Sequence, residues 1–141
     1  MKAGLLDTDM LSYVLDRRYP EVNEKAHQYL RVFRCFWISA ITLAESVKGI
    51  TNKPRHPEAL LSFLSVADTF EFFGVQRPEA ILAGHIMGAL LQSGQPIGPH
   101  DPFIAATAIQ RERVLITNNV KHYQRIVDLG FPLELENWRN V

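Results

Sequence analysis

The chain has 141 residues, 47% of them apolar, 21% charged and 10% aromatic, which supports a packed core and excludes disordered or collagen-like chains. Fifteen Lys and Arg balance fifteen Asp and Glu, so nucleic acid cannot be held by bulk positive charge and must be met by a local patch or by metal ions. The single cysteine, Cys35, excludes an intrachain disulfide and a Cys-based zinc site, and no apolar run is long enough to span a bilayer, so one soluble, cytoplasmic domain over residues 1–141 is expected.

Lys2 to Asp7 is a short apolar run closing on a carboxylate, and Thr8 has the chemistry of an N-cap for a helix over Asp9 to Arg17. After Pro20, the residues Val22, Ala26, Tyr29, Leu30 and Phe33 recur at spacings of three and four and predict a second, amphipathic helix. Phe36 to Ile38 reads as a buried strand, with Trp37 in the core, and Ser39 to Ile50 as a helix ended by Gly49. Pro54 to Pro57 breaks the chain before a helix over Glu58 to Thr69, and Phe70 to Val75 reads as a further strand. A helix over Pro78 to Leu91 is expected to bury Ile81, Leu82, His85, Ile86, Ala89 and Leu90. The turn-rich Ser93 to Pro99 leads into a helix with Asp101 as N-cap and Pro102 at its first position. Val114 to Ile116 is the next strand, and Phe131 to Leu135 the last, sealed by Trp138. Strands alternating with helices predict an α/β fold of three layers, with a mainly parallel sheet between helices on both faces.

In such sheets ligands gather outside the carboxyl ends of the strands. Asp7 ends the first strand, Glu45 lies one turn into the helix after the second, Asp101 opens a helix, and Thr117 to Asn119 follow a strand. Each has a purely structural reading. Asp7 and Asp101 can simply cap helices, Glu45 fits a capping box with Thr42, and Thr117 to Asn119 fit a turn. Capping does not readily account for an acid at station after station, so convergence on one crevice is the stronger reading. Several carboxylates held close together repel one another unless a divalent cation joins them, and Mg²⁺ prefers such oxygen donors. A cation there can activate water and steady a leaving phosphodiester oxygen, which makes phosphodiester hydrolysis the natural chemistry.

Five blocks, Leu5 to Asp9, Ile38 to Glu45, Pro96 to Ala106, Leu115 to Asn119 and Leu133 to Trp138, together resemble a PIN domain of the VapC toxin type. That resemblance implies a Mg²⁺- or Mn²⁺-dependent endoribonuclease, the toxin of a type II toxin-antitoxin pair with a VapB-like antitoxin. It also implies a homodimer acting on tRNA or rRNA, with Asp7, Glu45 and Asp101 as metal-binding acids. The chain departs from the pattern at Asn119, where many members carry a fourth acid, and at Asp9, commonly Asn. Asp9 can restore the missing charge or merely favour the helix dipole. His122 can serve as a ligand, touch phosphate or sit solvated on the surface, and His100, beside Asp101, can approach the scissile phosphate or be a solvated loop histidine. Arg17, Arg18, Lys48, Lys53 and Arg55 can hold RNA phosphates or form a solvated face. Two other readings remain: a haloacid-dehalogenase-like phosphohydrolase using Asp7 as nucleophile and Asp9 as acid, and a PIN-like module that binds without turnover.

Overall fold

A computed structural model describes residues 1–139 of the chain; the last two residues of the expected 1–141 domain lie outside the described residues. Five strands form one sheet in the order β3-β2-β1-β4-β5, every pair parallel. The strands are β1 (Gly4–Leu6), β2 (Trp37–Ser39), β3 (Glu71–Phe73), β4 (Val114–Ile116) and β5 (Leu135–Glu136). Seven helices connect them: α1 (Thr8–Asp16), α2 (Pro20–Phe33), α3 (Ala40–Thr51), α4 (Pro57–Ala67), α5 (Arg77–Gln92), α6 (Asp101–Gln110) and α7 (Val120–Asp128).

The central strands are buried on both faces and so are written as unbroken apolar runs. Successive side chains of a strand point to opposite faces, which divides the core in two. Leu5 and Leu115 face α5, α6 and α7 through Ala83, Ile86, Ile104 and Ile126. Leu6, Ile38 and Ile116 face α1, α2 and α4 through Met10, Leu11, Val22, Tyr29 and Phe63. The expected three layers are therefore present. Gly4 permits the close approach of β1 to β4, since a Cβ there would collide with the Ile116 side chain. Its N–H donates to the Tyr29 hydroxyl at 2.9 Å, tying the start of β1 to α2.

Several local expectations are corrected. The N-cap of α1 is Asp7, whose carboxylate accepts from the Met10 N–H at 2.8 Å, and Thr8 is the first helical residue. Ser39, not Thr42, caps α3: its hydroxyl accepts from the Thr42 N–H at 3.0 Å, so no capping box forms at Glu45. Gly49 stays inside α3, which runs on to Thr51 because nothing there demands a left-handed turn. At α6 the backbone is already helical at His100, which moves the cap one residue back and leaves the Asp101 side chain free of capping. The last strand is confined to Leu135 and Glu136, although Leu133 is buried beside it. His85 is exposed rather than buried, because α5 turns Ala83, Ile86 and Leu90 inward instead. Trp37 is half-buried, stacked on Phe73 at 4.3 Å with the Arg113 guanidinium over its ring, whereas Trp138 is fully buried beside Tyr29. No element was expected over α7, yet its buried Tyr123 and Ile126 show the three-residue spacing of a helical face.

Candidate active site

The order of the sheet reverses between β1 and β4: the chain moves outward through β2 and β3, then returns to the other side of β1. Loops from the carboxyl ends of β1 and β4 diverge at such a switch point and leave a crevice. Asp7 follows β1 and Thr117 follows β4, so both sit at its floor.

A cavity of about 190 Å³ opens there, lined by Asp7, Thr8, Asp9, Glu45, Asp101, Ile104, Asn119 and Tyr123. Asp7, Glu45, Asp101 and Asn119, which are 38 or more residues apart in sequence apart from the last two, thus reach one hollow, as does Asp9 from the exposed first turn of α1. A larger groove of about 820 Å³ runs along α5, but its walls carry no carboxylate.

Each acid is held differently. Asp7 is 4% exposed, and its two oxygens accept from the Met10 N–H and from the Thr117 hydroxyl. Thr117, itself buried, accepts in turn from the Asn119 N–H at 2.9 Å, which orders the entry to α7. Burial pushes the Asp7 carboxyl up to about 7; the two hydrogen bonds oppose this, and the charges of Asp9 and Asp101 add to it. Glu45 accepts from the Thr8 hydroxyl at 2.6 Å, and His100 Nδ1 lies 3.6 Å from its other oxygen. Asp101 Oδ2 lies 2.6 Å from His122 Nε2. Tyr123 was not anticipated: its buried phenol lines the cavity and is driven well above its ordinary pKa by burial and then by the charges of Asp101, Asp7 and Glu45. The apolar spacing of α7 could have placed its ring in the core but not its hydroxyl beside the acids.

Among the described residues, no three His, Cys, Asp or Glu side chains stand ready to share one ion as they are placed. Glu45 is turned to Thr8 and His100, and Asp101 to His122. Three-fold sharing therefore requires at least one of them to turn from its present partner. The donor set is nonetheless all oxygen and strongly acidic, which is the chemistry a hard divalent cation selects. Of the basic residues, Arg17, Arg18, Lys48, Lys53 and Arg55 are exposed, and Arg18 pairs with Asp16 at 3.0 Å.

The PIN domain family model matches residues 4–127. The chain is 30% identical over 125 residues to a protein named ribonuclease VapC1 from Haemophilus influenzae, covering 89% of this chain and 92% of that one. It is 30% identical over 135 residues to a tRNA(fMet)-specific endonuclease VapC from Salmonella typhimurium, covering 95% and 96%. Among solved structures, VapBC2 from Rickettsia felis bound to a promoter DNA fragment matches with a TM-score of 0.82 at 27% identity, over 97% of this chain and 99% of that one. DNA-bound VapBC from Salmonella typhimurium matches with a TM-score of 0.81 at 28% identity, over 99% and 100%. A parallel sheet with a switch point, an acid at the end of its central strand and these relatives agree: the chain belongs to the PIN-domain family, among the VapC ribonucleases.

Proposed function

We propose that this chain is the endoribonuclease toxin of a VapBC-type pair, hydrolysing RNA phosphodiester bonds with Mg²⁺ or Mn²⁺ held by Asp7, Glu45 and Asp101. The observation that carries the reading is the acidic cavity at the switch point, above all the buried Asp7, whose carboxyl is pushed up to about 7 by its surroundings. Each Asp7 oxygen accepts one hydrogen bond and keeps a lone pair for a cation, whose charge would favour the carboxylate that burial alone disfavours. A bound divalent ion supplies an activated water and charge stabilisation at the scissile phosphate.

The chain's own residues do the remainder. Thr117 and the Met10 N–H fix the Asp7 carboxylate, and the Thr8 hydroxyl orients Glu45. Asn119 and Asp9 line the rim, where an amide and a carboxylate can orient water at the phosphate. Asp7 is poorly suited to a phosphohydrolase nucleophile, since it is almost wholly covered. That favours attack by water, with no covalent intermediate.

A VapB-like antitoxin laid across the acidic mouth is the expected partner. The solved VapBC complexes that share this fold support it, and the named specificity of the Salmonella relative supports tRNA as a target, with rRNA as the alternative. A homodimer is expected from the resemblance of the sequence blocks to the VapC type. Purified protein should cleave structured RNA with Mg²⁺ or Mn²⁺ and stop on addition of EDTA, and Asp7→Asn or Asp101→Asn should abolish cleavage. Cleavage that survives either substitution overturns the assignment. Mapping RNA ends in cells expressing the wild type against Asp7→Asn identifies the target.

A further inference from the structure

The first turn of α7 carries an imidazole with no assigned role in this chemistry. His122 Nε2 lies 2.6 Å from Asp101 Oδ2, and the two side chains are only 20% and 25% exposed. The same oxygen is bounded by Gly98, where a Cβ would come within 3.2 Å of it. One oxygen of Asp101 is therefore met by a residue 21 positions later in the chain, on the side where glycine in the loop before α6 leaves it room.

Besides His122, only the Tyr123 hydroxyl is in hydrogen-bonding reach of the Asp101 carboxylate among the described side chains. Its own helix offers poor backbone donors: Pro102 has no N–H, and the Phe103 N–H already donates to the His100 carbonyl at 3.1 Å. A carboxylate so placed, with Asp7, Asp9 and Glu45 lining the same cavity, is repelled by its neighbours and needs donors to hold it there. A charge-assisted hydrogen bond, about twice as strong as a neutral one, is a sufficient restraint. We propose that His122 is a positioning residue: its Nε2–H donates to Asp101 Oδ2 and holds the carboxylate against Gly98, presented to the acidic cavity. The role is one of geometry. It rests on the reading of Asp101 as a cation ligand, and it gives this chain a way to order its site although position 119 is an amide.

Two variants separate a positioning role from the alternatives. The amide nitrogen of Gln can stand near the place of Nε2 and donate the same hydrogen bond, but it does not titrate. His122→Ala should weaken Mn²⁺ binding, measured by calorimetry, by about 10–100-fold, the usual effect of losing a partner behind a ligand. His122→Gln should stay within about threefold of the wild type, since the donor survives. Wild-type affinity in His122→Ala overturns the proposal. So does a Gln variant as weak as the Ala variant, which would mean that the ring itself binds the ion or carries a proton. A third arm needs no metal: the ¹⁵N spectrum of the metal-free protein should show His122 Nε2 protonated, with its resonance shifted by Asp101→Asn. An unprotonated or unshifted Nε2 refutes the contact. If Asp101→Asn leaves Mn²⁺ affinity unchanged, the ligand assignment of Asp101 fails, and the proposal that depends on it falls even where the contact is present.

Discussion

Replacing Asp7 by Asn should kill the enzyme and, at alkaline pH, stabilise it. The carboxyl has its pKa raised from 3.8 to about 7 in the folded chain. A folded pKa above the unfolded one contributes stability that is complete below pH 3.8 and lost as pH rises through 7. At about 1.4 kcal/mol per unit, the loss is about 1.5 kcal/mol by pH 5 and about 4 kcal/mol by pH 8. Asn does not titrate, so the stability of the variant relative to the wild type should rise by about 2.5 kcal/mol between those two pH values. Hydrogen bonds weakened by the substitution matter equally at both and drop out of this difference, and Asn remains a good N-cap for α1. For a chain of 141 residues, that is a change in relative Tm of roughly 8–10 °C. Thermal unfolding followed by circular dichroism at pH 5 and pH 8, in chelator, measures it. A Tm difference between variant and wild type that stays constant within about 2 °C across this range refutes the account of Asp7 as a carboxyl raised by burial.

Two predictions concern the scaffold. Tyr29→Phe removes the acceptor for the Gly4 N–H and should cost about 1–2 kcal/mol, read by urea denaturation; an unchanged midpoint means that water replaces the hydroxyl there. Arg111→Met leaves Glu79, only 2% exposed, without its partner at 2.9 Å, and should cost about 3–5 kcal/mol, whereas Glu79→Leu with Arg111→Met together should recover much of the loss. A double variant as unstable as Arg111→Met alone argues that packing, not a stranded charge, sets the cost.

The sheet and the gathering of acids were legible because both follow from one pattern, a short apolar run ending in a polar residue. A strand buried on both faces is written as Leu5-Leu6, and the residue after it must stand at the rim where ligands meet, which is where Asp7 lies. Helix starts were less legible. Asp101 before Pro102 carries a strong capping signal, but the backbone is already helical at His100, and a sequence does not show ψ. Helix α7 went unassigned because Asn118 and Asn119 read as a turn and its inward Tyr123 and Ile126 are separated by Gln124 and Arg125. His85 falls on an apolar helical spacing, but α5 is apolar on more than one side, and only packing against α6 decides which side is covered. The pairing of His122 with Asp101 depends on how two helices sit against one sheet, and no local pattern encodes that.

Asp7 ends a central strand, starts a helix and lines the acidic hollow at once. Asparagine shares two of those three duties. On the proposed function, a single exchange of oxygen for nitrogen at that position should therefore give a silent decoy, since a side chain only 4% exposed contributes little to the outer surface. Such a copy would compete with the active chain for every protein that recognises it, at no cost in RNA.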